Sequence, residues 1–134
     1  YKSIAMIGVS NDPTKASTIV MKYMQKYGFK VYPVNPSAKG QKILGEEVFA
    51  KISEIKQPVD IVDVFRPSSE ALNIAKDTIS IGAKVLWLQL GIKSEDAKKI
   101  VEKNNIEYVE DRCTKMEYQK HFLKIRQTFT VLQD

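Results

Sequence analysis

The part of the sequence best suited to bind a phosphate follows its first apolar run and reads Gly8, Val9, Ser10 and Asn11. A glycine at the end of a buried strand lets backbone amides approach an anion, and the helix that follows offers its positive end. The full G-x-G-x-x-G dinucleotide pattern is absent, because Ser10 and Pro13 hold the places of its second and third glycines. Taken alone, the segment fits a diphosphate site and a plain tight turn equally well.

The residues after the second apolar run indicate which nucleotide would fit. They read Val34, Asn35 and Pro36. An NAD-binding protein usually has an acidic residue there, which accepts hydrogen bonds from the ribose hydroxyls. Asn35 is neutral, and a carboxylate would repel a phosphorylated ribose, so this position favours a ribose-phosphate ligand such as coenzyme A or NADP. Lys39 follows in the next loop, where it either contributes a cation or is simply solvated.

Two further apolar runs end in groups that suit a polar ligand. The third run ends in Phe65, Arg66 and Pro67, and the fourth in Leu88, Gln89 and Leu90. Ligands of open parallel sheets bind outside the carboxyl ends of the strands, at the point where the strand order reverses. We therefore expect all four segments to meet at one edge of a sheet.

Strand-like and helix-like patterns alternate along the chain. Short apolar runs indicate strands at residues 3–9, 29–34, 60–65, 84–91 and 106–110, and helical spacing separates most of them. Ser17 and Ser94 are expected to cap two of the helices, whereas residues 37–45 are expected to form a polar loop and residues 48–55 a short helix. Parallel strands joined by helical crossovers bury such runs on both faces. The sequence predicts an α/β fold with a single Rossmann-like domain over residues 1–134, built on a mainly parallel five-stranded sheet with helices on both faces.

Composition narrows the class of protein. The chain has 134 residues, 43% of them hydrophobic and 28% charged, with a net charge of +5. The lysines are spread over the polar faces of the expected helices, so they favour a solvated surface over a nucleic-acid interface. No run is apolar enough to cross a membrane, and the lone Cys113 fits a reducing compartment, so we expect a cytoplasmic protein. Since the sequence begins with Tyr1, the absence of a signal peptide holds only for the residues given.

Taken together, these motifs resemble the coenzyme A-binding domain family, which is similar to the N-terminal domain of the succinyl-CoA synthetase alpha subunit. The resemblance covers about residues 3–113 and rests on GVSNDP, VYPVNP with AKG, ILGEEVF, PVDIVDVFRP, GAKVLWLQLG and DRC. It implies that coenzyme A is the cofactor and that the amides around residues 8–11 hold its diphosphate. It further implies that Val34, Asn35 and Pro36 flank the adenosine, and that Lys39 contacts a phosphate. Residues 65–67 would line the adenine or pantetheine path, and residues 88–90 would lie nearer the pantetheine.

The sequence departs from the synthetases in its catalytic parts. The phosphorylated histidine of those enzymes sits in a second domain, which this chain lacks, and His121 lies beyond the resemblance. We therefore expect a stand-alone module that binds coenzyme A or an acyl-CoA without catalysis of its own. The alternatives are an NAD(P)-binding oxidoreductase or one chain of a split acyl-CoA synthetase, and a nucleic-acid or structural interaction protein is the more distant one.

Two expectations concern partners. A last helix at about residues 115–132 has an apolar side that would pack at an oligomer interface, so we expect a homodimer or a partner enzyme chain. Cys113 follows Arg112 and is expected to face the ligand edge, where a mixed disulfide with the pantetheine thiol is one outcome and a quiet buried thiol the other.

Overall fold

In the computed structural model, which describes residues 1–120, one five-stranded parallel sheet forms the centre of the molecule. The elements, in chain order, are β1 (Ser3–Ile7), α1 (Ala16–Lys26), β2 (Lys30–Val34), β3 (Lys42–Ile43), β4 (Glu46–Glu47), β5 (Ile61–Val64), α2 (Ala71–Ser80), β6 (Val85–Leu88), α3 (Glu95–Lys103) and β7 (Glu107–Val109). The order across the sheet is β2-β1-β5-β6-β7, and every neighbouring pair is parallel. The predicted α/β fold is confirmed.

Helices cover both faces of the sheet. On one face, α2 and α3 pack against a core that includes Val62, Leu86 and Leu88. On the other face, α1 packs against Ile4 and Met6. Strand residues alternate between the two cores because successive side chains of a strand point to opposite faces.

Residues 114–120 are helical and begin the predicted last helix; the rest of that helix lies outside the described residues. Within the described part, Tyr118 packs on the α1 side of the sheet, where its ring contacts those of Tyr23, Tyr27 and Phe29. The start of this helix is therefore part of the domain's own core. No helix within residues 1–120 combines the length and the apolar character that a membrane span requires.

Three local predictions are wrong. Ser17 does not cap α1, since Lys15 holds the cap position and the Ser17 hydroxyl accepts a hydrogen bond from the Ser10 amide. The expected polar loop contains a 3₁₀ turn, Pro36–Ala38, and strand β3 of a hairpin with β4. The expected helix at 48–55 is only a 3₁₀ turn, Ile52–Glu54. By contrast, Ser94 caps α3 as predicted, accepting from the Ala97 amide at 3.1 Å.

Strand order reverses beside β1, which pairs with β2 on one side and β5 on the other. The chain leaves β1 toward α1 and one face, and leaves β5 toward α2 and the other face. Their connecting loops must separate there, which opens a crevice at the carboxyl ends of β1, β2 and β5.

Candidate functional site

A pocket of about 270 Å³ lies in this crevice. Its lining residues come from the ends of β1, β2 and β5 with the residues just after them, from residues 50–52, and from α2 with the residue before it: Ile7, Gly8, Val34, Asn35, Pro36, Ser37, Ala50, Lys51, Ile52, Arg66, Glu70, Ile74 and Asp77. Ligand pockets usually measure about 300–1,000 Å³, so this one fits part of a large ligand and not a whole cofactor. Five of the predicted site residues meet in this pocket: Gly8, Val34, Asn35, Pro36 and Arg66.

Gly8 makes the turn that opens the pocket. Its amide extends the β1–β2 ladder by donating to the Val34 carbonyl at 2.8 Å, and its φ of +91° is one that other residues rarely adopt. A Cβ at this position would lie 2.9 Å from Arg66 Cδ and 3.0 Å from the Phe65 carbonyl oxygen. Only glycine therefore lets the chain turn here while Arg66 crosses above it.

The loop after β1 uses some of its amides internally. The Gly8 amide is bonded to Val34, and the Ser10 amide donates to Ser17 Oγ at 3.1 Å. The Asn11 side chain is exposed and donates to Gln41 Oε1 at 3.4 Å. The predicted anion-binding segment is thus partly closed by contacts from α1.

Asn35 joins two of the loops that frame the pocket. Its Nδ2 donates to the Val9 carbonyl at 2.9 Å, and its Oδ1 accepts from the Ser37 amide at 3.0 Å, which caps the Pro36–Ala38 turn. An aspartate could still accept from Ser37 but could not donate to Val9. Asn35→Asp therefore changes the loop as well as the charge and is a poor probe of ligand charge alone.

Lys51 lines the pocket, although the local sequence pattern does not indicate it. Phe49 forms an isolated parallel bridge with Val34, and its carbonyl accepts from the Asn35 amide at 2.8 Å. This bridge places Ala50 and Lys51 directly beside the end of β2. The signal in the sequence was weak, because the bridge depends on non-local pairing and not on local pattern.

The Lys39 ammonium is already held by a carboxylate. It donates to Glu54 Oε2 at 2.8 Å, while Glu54 Oε1 accepts from the amides of Ala50 and Lys51 at 2.8 and 2.9 Å. The hydrogen bond to Lys39 is the main reason why the pKa of Glu54 lies below its usual value. Lys39 does not line the pocket. In this structure it stabilises the position of residues 50–54 through its ion pair with Glu54.

Arg66 lines the pocket and is paired along the chain with Glu70. Its Nη2 lies 2.7 Å from Glu70 Oε2, and its Nε donates to both carboxylate oxygens. The hydrogen bond to Glu70 raises the pKa of Arg66. Since both side chains are well exposed, this pair contributes little to stability, and the guanidinium can rearrange toward an anionic ligand.

The remaining predicted site residues lie around the same edge but outside the pocket wall. Phe65 is half-buried on the α1 side of the sheet, Pro67 is exposed, and Leu88 is fully buried on the α2 side. Leu90 is 66% exposed beyond the end of β6. Of residues 88–90, only Leu90 offers its side chain to a ligand from solvent.

A buried polar cluster joins Asp63, Gln89 and Thr114 under the carboxyl edge. Gln89 Nε2 donates to Asp63 Oδ1 and, at 2.9 Å, to Thr114 Oγ1; the Thr114 hydroxyl donates to Asp63 Oδ2 at 2.9 Å. Burial raises the pKa of Asp63 to about 7, although the hydrogen bonds oppose the shift. The Gln89 side-chain nitrogen thus donates its hydrogen bonds to Asp63 and Thr114 and not to a ligand. Among residues 1–120, no group of three or more His, Cys, Asp or Glu side chains is placed to hold a metal ion.

The sequence matches the CoA binding domain over residues 2–119, which is nearly the whole chain. The chain belongs to this family. It is 34% identical over 115 residues to the uncharacterised protein YneT of Bacillus subtilis, a match that covers 86% of this chain and 84% of YneT. It is also similar to a solved Thermus thermophilus protein, at 35% identity with a TM-score of 0.86 and 89% of each chain covered.

Larger enzymes contain a segment of the same kind. The chain is 30% identical over 106 residues to the alpha subunit of an ADP-forming acetate–CoA ligase, number I, of Pyrococcus furiosus. This match covers 74% of the chain but only 23% of the ligase subunit. The chain thus spans about a quarter of that relative, whereas it spans most of YneT.

Proposed function

We propose that this chain binds coenzyme A, or an acyl derivative of it, as a module without catalysis of its own. The observation that carries the proposal is the pocket at the strand-order reversal, which is lined by the neutral Asn35, by Lys51 and by Arg66, whose guanidinium is paired with Glu70. An anionic, phosphorylated nucleotide suits such a frame better than a dinucleotide with free ribose hydroxyls.

The pocket would hold the adenosine part of the ligand. Ile52 and Ile74 supply apolar walls for the adenine ring, and the Asp77 carboxylate lies in the same wall as an acceptor for its exocyclic amine. The diphosphate would then lie along residues 8–11, where Asn11 is exposed to solvent, whereas Val9 is fully buried. The pantetheine arm would run along the edge toward residues 65–67 and 88–90, and Lys39 would add a more distant positive charge. A mixed disulfide at the half-buried Cys113, formed by exchange of its thiol with oxidised coenzyme A and release of one reduced coenzyme A, stays a prediction.

Titration calorimetry with coenzyme A, dephospho-coenzyme A and NAD tests this proposal. We expect coenzyme A to bind tighter than NAD by at least about tenfold, because Asn35 offers no carboxylate to the NAD ribose while the cations attract the extra phosphate. NAD binding as tight as that of coenzyme A, or no binding of coenzyme A, would contradict the proposal.

The second candidate function is one chain of a split ADP-forming acyl-CoA ligase, which the match to the Pyrococcus furiosus subunit favours. The deciding assay follows ADP formation from ATP, acetate and coenzyme A. On the leading proposal, the chain neither turns these over alone nor restores activity to a ligase alpha subunit from which the matching segment has been deleted. Restored activity would instead support the split enzyme.

A further inference from the structure

The pocket contains a cation that is better placed than Lys39 to recognise a phosphate on the ribose. In nucleotide-binding sheets of this kind, the ribose lies over the end of the second strand, where NAD proteins place their carboxylate. Asn35 holds that place here. Its Oδ1 accepts from the Ser37 amide, and its own amide donates to the carbonyl of Phe49, which is followed in the pocket wall by Ala50 and Lys51. A phosphate on the ribose would therefore enter between Ser37 and Lys51.

The two lysines differ in what they already bind. Lys39 donates to Glu54 at 2.8 Å, so an incoming phosphate would have to compete with a carboxylate that is itself fixed by two backbone amides. Among residues 1–120, no carboxylate lies within ion-pair distance of the Lys51 ammonium. Its charge is available to a ligand.

Neither pocket carboxylate, Glu70 or Asp77, forms an ion pair with Lys51. Glu70 is held by Arg66 through Nε and Nη2, and it stands with Asp77 on the α2 side, whereas Lys51 lies in the wall beside β2. The pocket thus has a basic side at the end of β2 and an acidic side at α2. A ligand with a phosphate on its ribose and an amine on its base matches this arrangement.

We propose that Lys51, rather than Lys39, is the residue by which this site selects ligands with a phosphorylated ribose. The inference rests on the proposed function and adds the residue that determines specificity. The Lys51 ammonium forms no ion pair within residues 1–120, so it acts through its charge on the ligand, while Lys39 acts through Glu54 on the shape of the loop.

The test compares Lys51→Gln with Lys39→Gln, a matched pair in which each variant removes one positive charge from a lysine near the end of β2. Calorimetry measures the ratio of the affinities for coenzyme A and dephospho-coenzyme A. For Lys51→Gln we expect the coenzyme A affinity to fall about tenfold and the dephospho-coenzyme A affinity to change less than about twofold, because only the first ligand carries the ribose phosphate. For Lys39→Gln we expect both affinities to change by similar, smaller factors.

Further measurements sharpen the result. Raising the salt concentration should weaken coenzyme A binding to the natural protein more than to Lys51→Gln, because salt screens the contact that the variant lacks. Adenosine 3′,5′-bisphosphate against AMP repeats the comparison without the pantetheine arm. NADP against NAD tests whether a 2′-phosphate is read in the same way as the 3′-phosphate. Thermal unfolding should show Lys51→Gln to be as stable as the natural protein, since surface substitutions away from structural contacts usually leave stability almost unchanged.

The outcomes are separable. If the natural protein binds coenzyme A but Lys51→Gln weakens both ligands equally, or if Lys39→Gln produces the selective loss, Lys51 is not the specificity residue and the proposed function stands. If the natural protein binds neither coenzyme A nor its dephospho form, the proposed function itself fails.

Discussion

As the pH rises from 5 to 8, the ionisation of the buried Asp63 carboxyl is expected to lower the free energy of unfolding by about 3 kcal/mol. Burial raises its pKa to about 7 in the folded protein, while the unfolded chain has the ordinary value near 3.8. Between these two values the folded state holds a proton that the unfolded state has released. The stabilisation is therefore complete below about pH 4 and is lost as the pH rises to about 7.

The substitution that tests this is Asp63→Asn, which keeps the shape of the side chain but cannot ionise. Urea unfolding at pH 5, 6, 7 and 8 should show the decline in the natural protein and a flatter profile in the variant. The amide introduced by Asp63→Asn can accept from Gln89 and donate to Thr114 Oγ1, so the cluster is expected to stay hydrogen-bonded.

Asp60→Asn is the matched control. Asp60 lies just before the same strand, but it accepts hydrogen bonds from the amides of Lys2 and Ser3, and the bond from Lys2 is the main cause of its lowered pKa. Because the pKa of Asp60 is lowered, its carboxyl is ionised in both the folded and the unfolded protein above pH 5, so its removal should leave the slope between pH 5 and 8 unchanged. Identical slopes for the natural protein and Asp63→Asn would show that the carboxyl of Asp63 does not titrate in this range.

The second large effect is expected for Gly8→Ala, which should destabilise the fold and weaken coenzyme A binding together. Forcing an alanine into the left-handed conformation costs about 1–2 kcal/mol. The new methyl group also meets the Phe65 carbonyl oxygen at 3.0 Å, which is backbone and can yield only by shifting the end of β5. Arg66, whose Cδ lies 2.9 Å from the same point, would be displaced from the pocket wall.

Gly45→Ala separates the two causes. Gly45 has a φ of +83° in the turn between β3 and β4, and no neighbouring atom lies within 4 Å of a Cβ placed there. It should therefore show the conformational cost without the collision. We expect Gly8→Ala to have the lower melting temperature and a coenzyme A affinity reduced by about tenfold or more, while Gly45→Ala binds normally. Equal effects of the two variants on stability and binding would mean that the approach of Arg66 and Phe65 to Gly8 has no consequence.

The sequence by itself determined the alternation of the five sheet strands with helices along the chain, and several of the residues that end or begin these elements. Apolar runs of strand length, separated by helical spacing, permit few arrangements other than a parallel sheet with helices on both faces. Gly8 and Gly28, placed where an element ends, both adopt positive φ, and Ser94 caps α3. These features depend on residues a few positions apart, which local physics relates directly.

Tertiary structure decided which side chains line the pocket and which are held in contacts within the protein. Lys51 reaches the pocket because Phe49 bridges to Val34, and Lys39 is drawn away because Glu54 folds back against it. Asp63 lacked any visible partner in the sequence, yet Gln89 and Thr114 lie 26 and 51 residues further along the chain and satisfy its carboxylate.

The β3–β4 hairpin was not predicted, and the reason is local. Its turn has positive φ at both Leu44 and Gly45, and leucine is not a residue that indicates such a turn. For Lys51, Lys39 and Asp63, by contrast, the deciding contacts join segments 15 or more residues apart, whose approach is set by strand pairing and burial. A local pattern carries no record of that approach, because the free energy that enforces it comes from the packed sheet as a whole.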